Sequence, residues 1–421
     1  MLPDAIYGAA RSFPVGTGLG QDNIAPRALL RLSRQAIVAL AVLFEAFERR
    51  GQWTRVLDLV LIVLLPKSDG GFRPIGLFPT VVRIWMRARI GIARAWEASN
   101  SVPYIYGSSG MGAQVASWQA AFTAESAALC KMDHVQALLD LVKAFETVPH
   151  WILVKAAIAK GYSVIILRLS IAAYRLSRSV GIEGAYSRRI VATRGITAGS
   201  GFATSELRLL LFDVVGEIRT KWGAAVSIKL YVDDLTLAAC GLPLVIVQLL
   251  IRVLNFVVDK LENGLCMEVS AKKSKVLAGR AMVAEAVAAG VGSKKLTATT
   301  HAKLLGTDSV GGRRRSTATL QKRIRSFNCT VPRLHALLRA GVNTKQMVRA
   351  AGTPAILYGC EVMGVSDTCL LDIRRKVAAA AAPEAGGKNP ERTLYALDGS
   401  DGTLDPAFEA HASPIKHWAL A

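Results

Sequence analysis

The fold of this chain is indicated most directly by the stretch Ser227-Ile-Lys-Leu-Tyr-Val-Asp-Asp-Leu-Thr-Leu-Ala238. Two short apolar strands flank Asp233-Asp234, which predicts a β-hairpin with both carboxylates at its tip. A solvated Asp-Asp turn is the simplest alternative, because aspartate is a favoured turn residue. The rest of the chain therefore decides whether the two carboxylates take part in chemistry.

A third aspartate, Asp140, follows Ala137-Leu138-Leu139 in a hydrophobic strand that we predict at 137–142. Positions 140 and 233 are 93 residues apart (233 − 140), but adjacent central strands would bring their ends together. Three carboxylates at one sheet edge repel one another unless cations neutralise them. Two Mg²⁺ ions about 3.5–4 Å apart would do so while stabilising the attacking and leaving oxygens of a phosphoryl displacement. Mn²⁺ is a possible substitute.

The charge of the chain favours a polyanionic partner. Its 421 residues include 52 Lys and Arg against 31 Asp and Glu, a formal net charge of +21. Nucleic acid and an anionic membrane surface both fit such an excess. The apolar run 56–65 is too short to span a bilayer, and 242–261 contains Arg252 and Asp259. We therefore expect nucleic acid and no membrane as the partner.

The cysteines and the N-terminus indicate the compartment. Six cysteines form no Cys-x-x-Cys pair and have no histidines at zinc spacing, so we expect no structural metal. The N-terminus lacks the basic-then-apolar order of a signal peptide. We expect an intracellular protein, with nucleus and cytoplasm both open.

The periodicity of the remaining sequence predicts strands interleaved with helices and a basic, helical C-terminal part from 311. One long helix is expected at 22–49, capped by Asp22 or Asn23, and a turn at 66–71. Further helices are expected through 85–92, after Pro149, and at 201–218 and 243–262, with strands at 56–65, 266–269 and 274–277.

Several motifs resemble those of reverse transcriptases. Tyr231-Val-Asp-Asp234 resembles the Tyr-x-Asp-Asp box of that family, and 140–150 is similar to the Asp-x-x-Lys-Ala-Phe-Asp-x-Val box of non-LTR (LINE-type) retrotransposon enzymes. Leu65-Pro-Lys-Ser-Asp-Gly-Gly-Phe-Arg-Pro-Ile75 resembles their fingers motif. Four partial matches follow in the family's order: Arg194-Gly195…Gly199, Lys273-Ser274, Leu304-Leu305-Gly306 and Leu357-Tyr-Gly-Cys-Glu361.

The resemblance implies an α+β right-hand polymerase with an antiparallel palm sheet and a helical thumb. Fingers and an N-terminal extension would occupy 1–135, and the palm 136–310 with a fingers insertion near 151–195. The thumb and C-terminal tail would occupy 311–421. The implied activity is that of a retrotransposon RNA-directed DNA polymerase, which extends a DNA primer on an RNA template with dNTPs.

The resemblance also implies roles for individual residues. Asp140, Asp233 and Asp234 would be the catalytic metal ligands. Lys67, Arg73, Phe145, Tyr231 and Gly199 would contact the nucleotide or template, with the two cations on its triphosphate and the Phe145 ring blocking a ribose 2′-hydroxyl.

Each of the other role assignments has a structural alternative. Phe145 would otherwise be an ordinary core phenylalanine. Lys67 and Arg73 would otherwise belong to a basic surface hairpin that binds no nucleotide. Lys273 would be a general acid toward pyrophosphate or a solvated lysine. Arg313, Arg314 and Arg315 would contact duplex phosphates or form a solvated helix face.

Departures from the family pattern keep alternatives open. Ala198 and Gly201 replace the usual glutamine and proline around Gly199, and Glu146 replaces an aspartate. A catalytically decayed RNA-binding copy and an RNA-dependent RNA polymerase are the rival hypotheses, although Phe145 and Tyr231 disfavour the latter. Residues 381–421 are too few for a ribonuclease H domain, and nothing resembles an endonuclease, so we expect a piece of a longer ancestral protein.

Overall fold

A computed structural model of the chain describes residues 1–67, 70–108, 110–292, 296–312, 315–382, 387, 389–398 and 402–420. The contacts divide these residues into two compact units. Unit 1 contains Met1–Ile105, Asp140–Ala224 and Asn255–Ser270, and unit 2 contains Tyr106–Leu139, Ala225–Leu254 and Ala271–Ala421. The three-domain division expected above stays a prediction.

The strands are β1 (Leu59–Pro66), β2 (Phe72–Leu77), β3 (Ile105–Tyr106), β4 (Asp133–Leu139), β5 (Ser177–Ile182), β6 (Ala185–Tyr186), β7 (Ser227–Tyr231), β8 (Asp234–Gly241), β9 (Lys275–Ala278), β10 (Thr297–Thr299), β11 (His301–Leu304) and β12 (Thr307–Val310).

The helices are α1 (Pro3–Arg11), α2 (Arg34–Arg50), α3 (Thr80–Ser99), α4 (Ala113–Leu129), α5 (Ala144–Thr147), α6 (His150–Ala159), α7 (Val164–Tyr174), α8 (Ala203–Trp222), α9 (Pro243–Asp259), α10 (Ala281–Gly290), α11 (Ala318–Arg339), α12 (Thr344–Met347), α13 (Thr353–Leu357), α14 (Cys360–Met363), α15 (Asp367–Ala381), α16 (Pro390–Asp398) and α17 (Pro406–Leu420). Short 3₁₀ segments occur at Pro26–Arg31, Arg55–Leu57 and Gly223–Ala225, and π-helical turns at Lys260–Gly264 and Val348–Gly352.

Unit 1 is built around a four-stranded sheet in the order β2-β1-β5-β6. β1 and β2 form an antiparallel hairpin, of which the sequence predicted the first strand and the turn but not β2, whereas β1 and β5 run parallel. Parallel strands need a long crossover connection, which here includes α6 and α7. Fully buried aromatic residues on its helices and loops, among them Trp85, Tyr174 and Phe202, form part of the core of unit 1.

Unit 2 contains most of a six-stranded sheet in the order β10-β9-β4-β8-β7-β3. The pairs β9·β4, β4·β8 and β8·β7 are antiparallel, as expected, but β10 and β9 run parallel. The expected antiparallel sheet is therefore mixed at one edge. From residue 318 onward the described chain is mainly helical, as the sequence predicted, and these helices share a core that includes Ile324, Ile373 and Leu394.

The helix expected at 22–49 is shorter than predicted. A 3₁₀ turn covers Pro26–Arg31, and α2 begins only after Ser33, whose hydroxyl accepts a hydrogen bond from Ala36 N. Asp22, the expected cap, instead accepts a 2.6 Å hydrogen bond from Thr80 N in the first turn of α3. This prediction was wrong because Asp22 and Ser33 are both good caps, and long-range packing selects between them.

All six cysteines are free thiols. Among the helices of the described residues, none combines the length and apolarity needed to cross a membrane.

Candidate functional site

The hairpin β7–β8 presents Asp233 and Asp234 as the sequence predicted. Tyr231 pairs with Asp234, so Val232 and Asp233 form a two-residue turn. Val232 has φ +58°, which a β-branched residue rarely adopts. Such conformations persist where the surrounding structure enforces them, and they concentrate at functional sites. The tip is therefore a tight, strained turn that holds an exposed Asp234 beside a partly exposed Asp233.

The register of β4 aligns its last residue with the start of β8. Leu139, the last residue of β4, pairs with Leu235, the residue that directly follows Asp234. Asp140 is one residue beyond that pair. The chain then continues beside 268–270, where Ser270 N donates to the Asp140 carbonyl at 2.8 Å and Leu141 bridges Val269.

No preformed metal cage exists in the described part of the chain, where groups of three or more His, Cys, Asp or Glu side chains suited to a metal ion are absent. Mg²⁺ is usually bound by one or two carboxylates together with substrate phosphates and water. Asp233 and Asp234, at the tip of the β7–β8 hairpin, are carboxylates of the kind that this donor set requires.

A buried cation lies in the same sheet, two residues before Tyr231. Lys229 is 7% exposed, and its Nζ donates to Ser227 Oγ at 2.9 Å. Burial lowers the pKa of Lys229 to about 8, partly offset by Cys240. Burial also lowers the pKa of His134 in β4 to about 4, with Lys229 adding to the effect. His134 therefore stays neutral at pH 7, whereas Lys229 keeps its charge.

In unit 1 the segment 195–201 packs on the turn that carries Phe145. Ile196 N donates to the Phe145 carbonyl, and Gly195 N donates to the Val148 carbonyl, both at 2.7 Å. Gly195 has φ +94°, and a Cβ there would lie 2.6 Å from the Glu146 carbonyl oxygen. The Phe145 side chain is only partly buried, so it is not a fully buried core residue.

Gly199 contacts strand β2. A Cβ on Gly199 would lie 2.3 Å from the Gly76 carbonyl oxygen, and Gly76 N donates to the Ala198 carbonyl at 2.6 Å. The sequence suggested that glycine here lets the backbone approach a template. The structure shows an internal reason for the glycine, because φ is +111° and the neighbouring strand leaves no room for a side chain.

Lys67 and Arg73 belong to the β1–β2 hairpin. Leu65 pairs with Arg73, and Lys67 N donates to the Gly71 carbonyl at the turn. Both cationic residues are exposed. Side chains alternate along a strand, so Arg73 projects from the same face as its partner Leu65.

A polar cluster that the sequence did not reveal holds the segment 195–201. The Tyr174 hydroxyl lies 2.9 Å from Ser200 Oγ and 2.5 Å from Glu206 Oε2. Arg178 Nη2 donates to Thr197 Oγ1 at 2.8 Å and to the Tyr174 carbonyl at 2.9 Å. A single sequence offers no signal for this cluster, because its members lie far apart along the chain.

Burial raises the pKa of Glu206 to about 8, against the hydrogen bond from Tyr174, which lowers it. The folded protein therefore keeps this proton between about pH 4.5 and 8, whereas the unfolded chain releases it. Stability should fall as the pH rises through this window. We expect Glu206→Gln to remove that loss, a relative gain of roughly 3 kcal/mol between pH 5 and 8.

The measurement is urea unfolding at pH 5 and pH 8. Glu217→Gln, at the surface of the same helix, is the control and should leave the pH dependence of the parent unchanged. An equal pH dependence in the parent and Glu206→Gln would contradict the protonated state of Glu206.

A stripe of arginines on α3 lines a groove of about 260 Å³ opposite Gly199 and Gly201. Arg83, Arg87 and Arg94 lie at i, i+4 and i+11, which is one face of a helix. Arg83 Nη1 donates to the Gly18 carbonyl, while Arg87 and Arg94 are exposed. The described lining residues include no carboxylate.

Two weak sequence motifs meet in unit 2. Leu305 and Gly306, both with positive φ, form the two-residue turn of β11–β12. Arg323 Nη2 donates to the Gly306 carbonyl at 2.6 Å, and Nη1 donates to the Tyr358 carbonyl. Tyr358 Oη donates to the Leu305 carbonyl at 3.1 Å. Arg323 therefore joins 304–306 to 357–361.

The basic run of the expected thumb is only partly described. Arg313 and Arg314 lie outside the described residues. Arg315 forms an ion pair with Glu125 at 2.8 Å, and its Nη1 donates to the Met363 carbonyl at 3.2 Å. Lys273 is exposed in the turn before β9. Contact of these residues with nucleic acid or pyrophosphate stays a prediction.

The sequence model of one protein family, described as reverse transcriptase (RNA-dependent DNA polymerase), matches residues 65–308, more than half of the chain. The chain belongs to the reverse transcriptase family. That places it among RNA-directed DNA polymerases, a class of nucleotidyltransferases. The α+β architecture is the right-hand polymerase fold of this family. A comparison with curated proteins gave no match.

Three solved structures similar to this reverse transcriptase chain are telomerases. Apo telomerase from Candida tropicalis truncated from the C-terminal domain is 14% identical (TM-score 0.42), over 66% of this chain and 59% of that one. Apo telomerase from Candida tropicalis is 12% identical, with a TM-score of 0.45, over 92% of this chain and 71% of that one. Telomerase from Candida albicans with a fragment of telomeric RNA is 10% identical, with a TM-score of 0.41, over 90% of this chain and 66% of that one. The chain thus spans less than two thirds of the length of the first.

Proposed function

We propose that this chain is an RNA-directed DNA polymerase of a non-LTR retrotransposon, which extends a DNA primer on an RNA template with dNTPs. One observation carries the proposal: Leu139, the last residue of β4, pairs with Leu235 of β8. Asp140 directly follows Leu139 in the chain, and Asp234 directly precedes Leu235. The strained turn at Val232 holds Asp233 at the same end of β8. The assignment to non-LTR elements rests on the match of 140–150 to their motif.

Asp140, Asp233 and Asp234 are the residues that would hold Mg²⁺, or Mn²⁺ in its place. When bound with a nucleotide, such ions neutralise the charge that develops on the attacking and leaving oxygens. The protein would supply three carboxylates, and the site would become complete only with substrate phosphates. Positioning and electrostatics then provide most of the rate enhancement, since phosphoryl transfer requires little covalent chemistry from the protein.

The exposed hairpin cations would bind the triphosphate of the incoming nucleotide. Lys67 and Arg73 lie at and beside the turn of β1–β2. Arg73 can bind phosphate oxygens bidentately, whereas Lys67 acts as a point charge. Lys273, exposed before β9, would protonate the leaving pyrophosphate.

The segment 195–201 would place the template opposite the nucleotide. Ala198 lacks the side-chain amide of the glutamine that the family usually carries before Gly199. Tyr174 and Arg178 hold the segment through Ser200 and Thr197. These hydrogen bonds support an ordered segment in the absence of that amide, and hence an active enzyme over a decayed copy.

Primer extension tests the proposal. We expect the purified chain to extend a DNA primer annealed to an RNA template with dNTPs and Mg²⁺, and to stop extending when the metal is chelated. Ribonucleotides on the same template should be used poorly. Binding without extension would favour a decayed RNA-binding copy, and preferred use of ribonucleotides would favour an RNA-dependent RNA polymerase.

The α3 stripe would contact nucleic-acid phosphates. Each neutralised phosphate contributes about 0.9 to the slope of log affinity against log salt for B-form duplex, and about 0.7 for a single strand. Arg87→Ala/Arg94→Ala should therefore flatten the slope by about one to two. Arg49→Ala/Arg50→Ala removes the same charge from α2 and is the control. An equal slope in both double variants, measured by fluorescence anisotropy, would argue against this surface.

A further inference from the structure

A second groove lies in unit 1, and of its described lining residues only His150 belongs to a motif described above. Its volume is about 620 Å³, and its walls come from 51–53, from α6, and from α7 with the residues that follow it. Ligand and peptide grooves in proteins commonly have this size and an apolar lining. The lining here includes Trp53, Trp151, Ile158 and Val164.

The walls of the groove are held in place by hydrogen bonds. Trp53 Nε1 donates to the Leu169 carbonyl at 3.1 Å, which fixes the indole against α7. Arg168 Nη2 donates to the carbonyls of Glu48 and Arg49 at 2.5 and 2.8 Å, at the end of α2. A Cβ on Gly51 would lie 2.3 Å from Arg168 Nε, so the glycine is packed directly on this side chain. The groove is therefore preformed.

Its apolar side chains are unusually exposed for their size. Trp151 is 67% exposed, Ile158 65% and Val164 52%. On α6 the lining residues 151, 154 and 158 follow helical spacing, as do 164, 168 and 171 on α7 and Arg175 at its C-terminal cap. Each of these two helices presents a row of side chains to the groove. A third helix could lie between them and pack its own side chains against both rows.

The charges around the groove have one sign. Arg168 and Arg175 are the charged members of the described lining, and both are exposed. Burial lowers the pKa of His150, so this residue adds no charge at neutral pH. No described lining residue is acidic. A partner with acidic residues beside an apolar stripe would complement both the apolar lining and the two arginines.

We propose that this groove docks an amphipathic α-helix of a partner protein, with bulky apolar residues on one face and Asp or Glu at its flanks. Nucleic acid fits less well, because the floor consists of aliphatic and tryptophan side chains rather than cations. An extended strand also fits less well, since the described lining consists of helices and a loop and offers no sheet edge to pair with.

Two synthetic 20-residue helices test the proposal. Both carry one Leu/Trp stripe, one with glutamate and the other with lysine at the remaining positions, and each bears a fluorescent label. The full chain is titrated into each in about 0.15 M salt, where long-range attraction is screened. Fluorescence anisotropy should show the acidic helix binding at least about 10-fold more tightly than the basic one.

Groove variants separate docking from general attraction to a basic protein. Ile158→Glu should weaken binding of the acidic helix about 10-fold or more, because it places a charge in the apolar floor. Val164→Glu repeats the test on the opposite wall. Val42→Glu is the control: it has the same charge change on a helix, and Val42 is 58% exposed outside the groove. Circular dichroism verifies that each variant is folded.

Equal binding of the two helices, or equal weakening by Val42→Glu, would overturn the proposal. Self-association in sedimentation velocity that Ile158→Glu abolishes would replace the partner helix with a second copy of this chain. Groove-dependent binding to phosphatidylglycerol vesicles would replace it with a lipid surface. None of these measurements depends on polymerase activity, so the proposal is tested independently of the proposed function.

Discussion

Asp233→Asn is expected to reduce Mg²⁺-dependent primer extension by about 10³-fold or more, because several kcal/mol of transition-state stabilisation come from metal-held oxygens. Asparagine has the same shape as aspartate but lacks the negative charge that a metal requires. Asp140→Asn should have an equally large effect. The two changes act on one constellation, so the double variant should lose little more than either single variant.

The hairpin geometry predicts that Asp233→Asn remains folded. The turn needs an unusual φ at Val232 but no buried carboxylate at 233, which is partly exposed. The free energy of unfolding should therefore change by less than about 1 kcal/mol. Asp213→Asn, which removes a carboxylate that is half exposed on α8, is the control for extension. Parent-like extension by Asp140→Asn or Asp233→Asn would show that the catalytic site is elsewhere.

Phe145→Val is expected to raise the use of ribonucleotides relative to deoxynucleotides by about 10²-fold, with deoxynucleotide use falling less. A ring against C2′ excludes a hydroxyl sterically, and a smaller side chain relieves that exclusion. A residue that recognised the sugar by a hydrogen bond would instead lose affinity for both sugars when it is removed.

The structure makes this substitution a mild one for the fold. The contact that ties the turn to 195–201 runs from Ile196 N to the carbonyl of Phe145, and valine keeps that carbonyl. Because the ring is only partly buried, its loss should leave no large cavity. Single-nucleotide extension with each sugar type measures the ratio, and Phe122→Val, at an exposed phenylalanine, is the control. An unchanged ratio in a folded, active variant would make Phe145 a packing residue and reopen the RNA polymerase hypothesis.

The sequence alone was sufficient for the elements whose signals are local. The alternation of 227–238, the turn at 66–71 and the apolar strand before Asp140 each depend on neighbouring residues. The structure confirms the β7–β8 hairpin, and in the described part of the turn Lys67 N donates to the Gly71 carbonyl. The strand predicted at 137–142 is present as Asp133–Leu139, so it ends before Asp140. Ordered motifs were sufficient for the family, since the match at 65–308 spans most of them. Such patterns can be recognised in a single sequence, because the pleat of a strand and the chemistry of a turn restrict the residue types over a few positions.

Only the tertiary structure decided which distant residues meet. Gly199 is required by a strand more than a hundred residues earlier, and Glu206 keeps its proton because folding buries it. Arg323 belongs to the basic C-terminal part that the sequence predicted from 311, and the structure shows that it binds two backbone carbonyls. Burial and long-range pairing depend on how elements pack, and the free energy of a polar group depends on that environment more than on its neighbours in the chain.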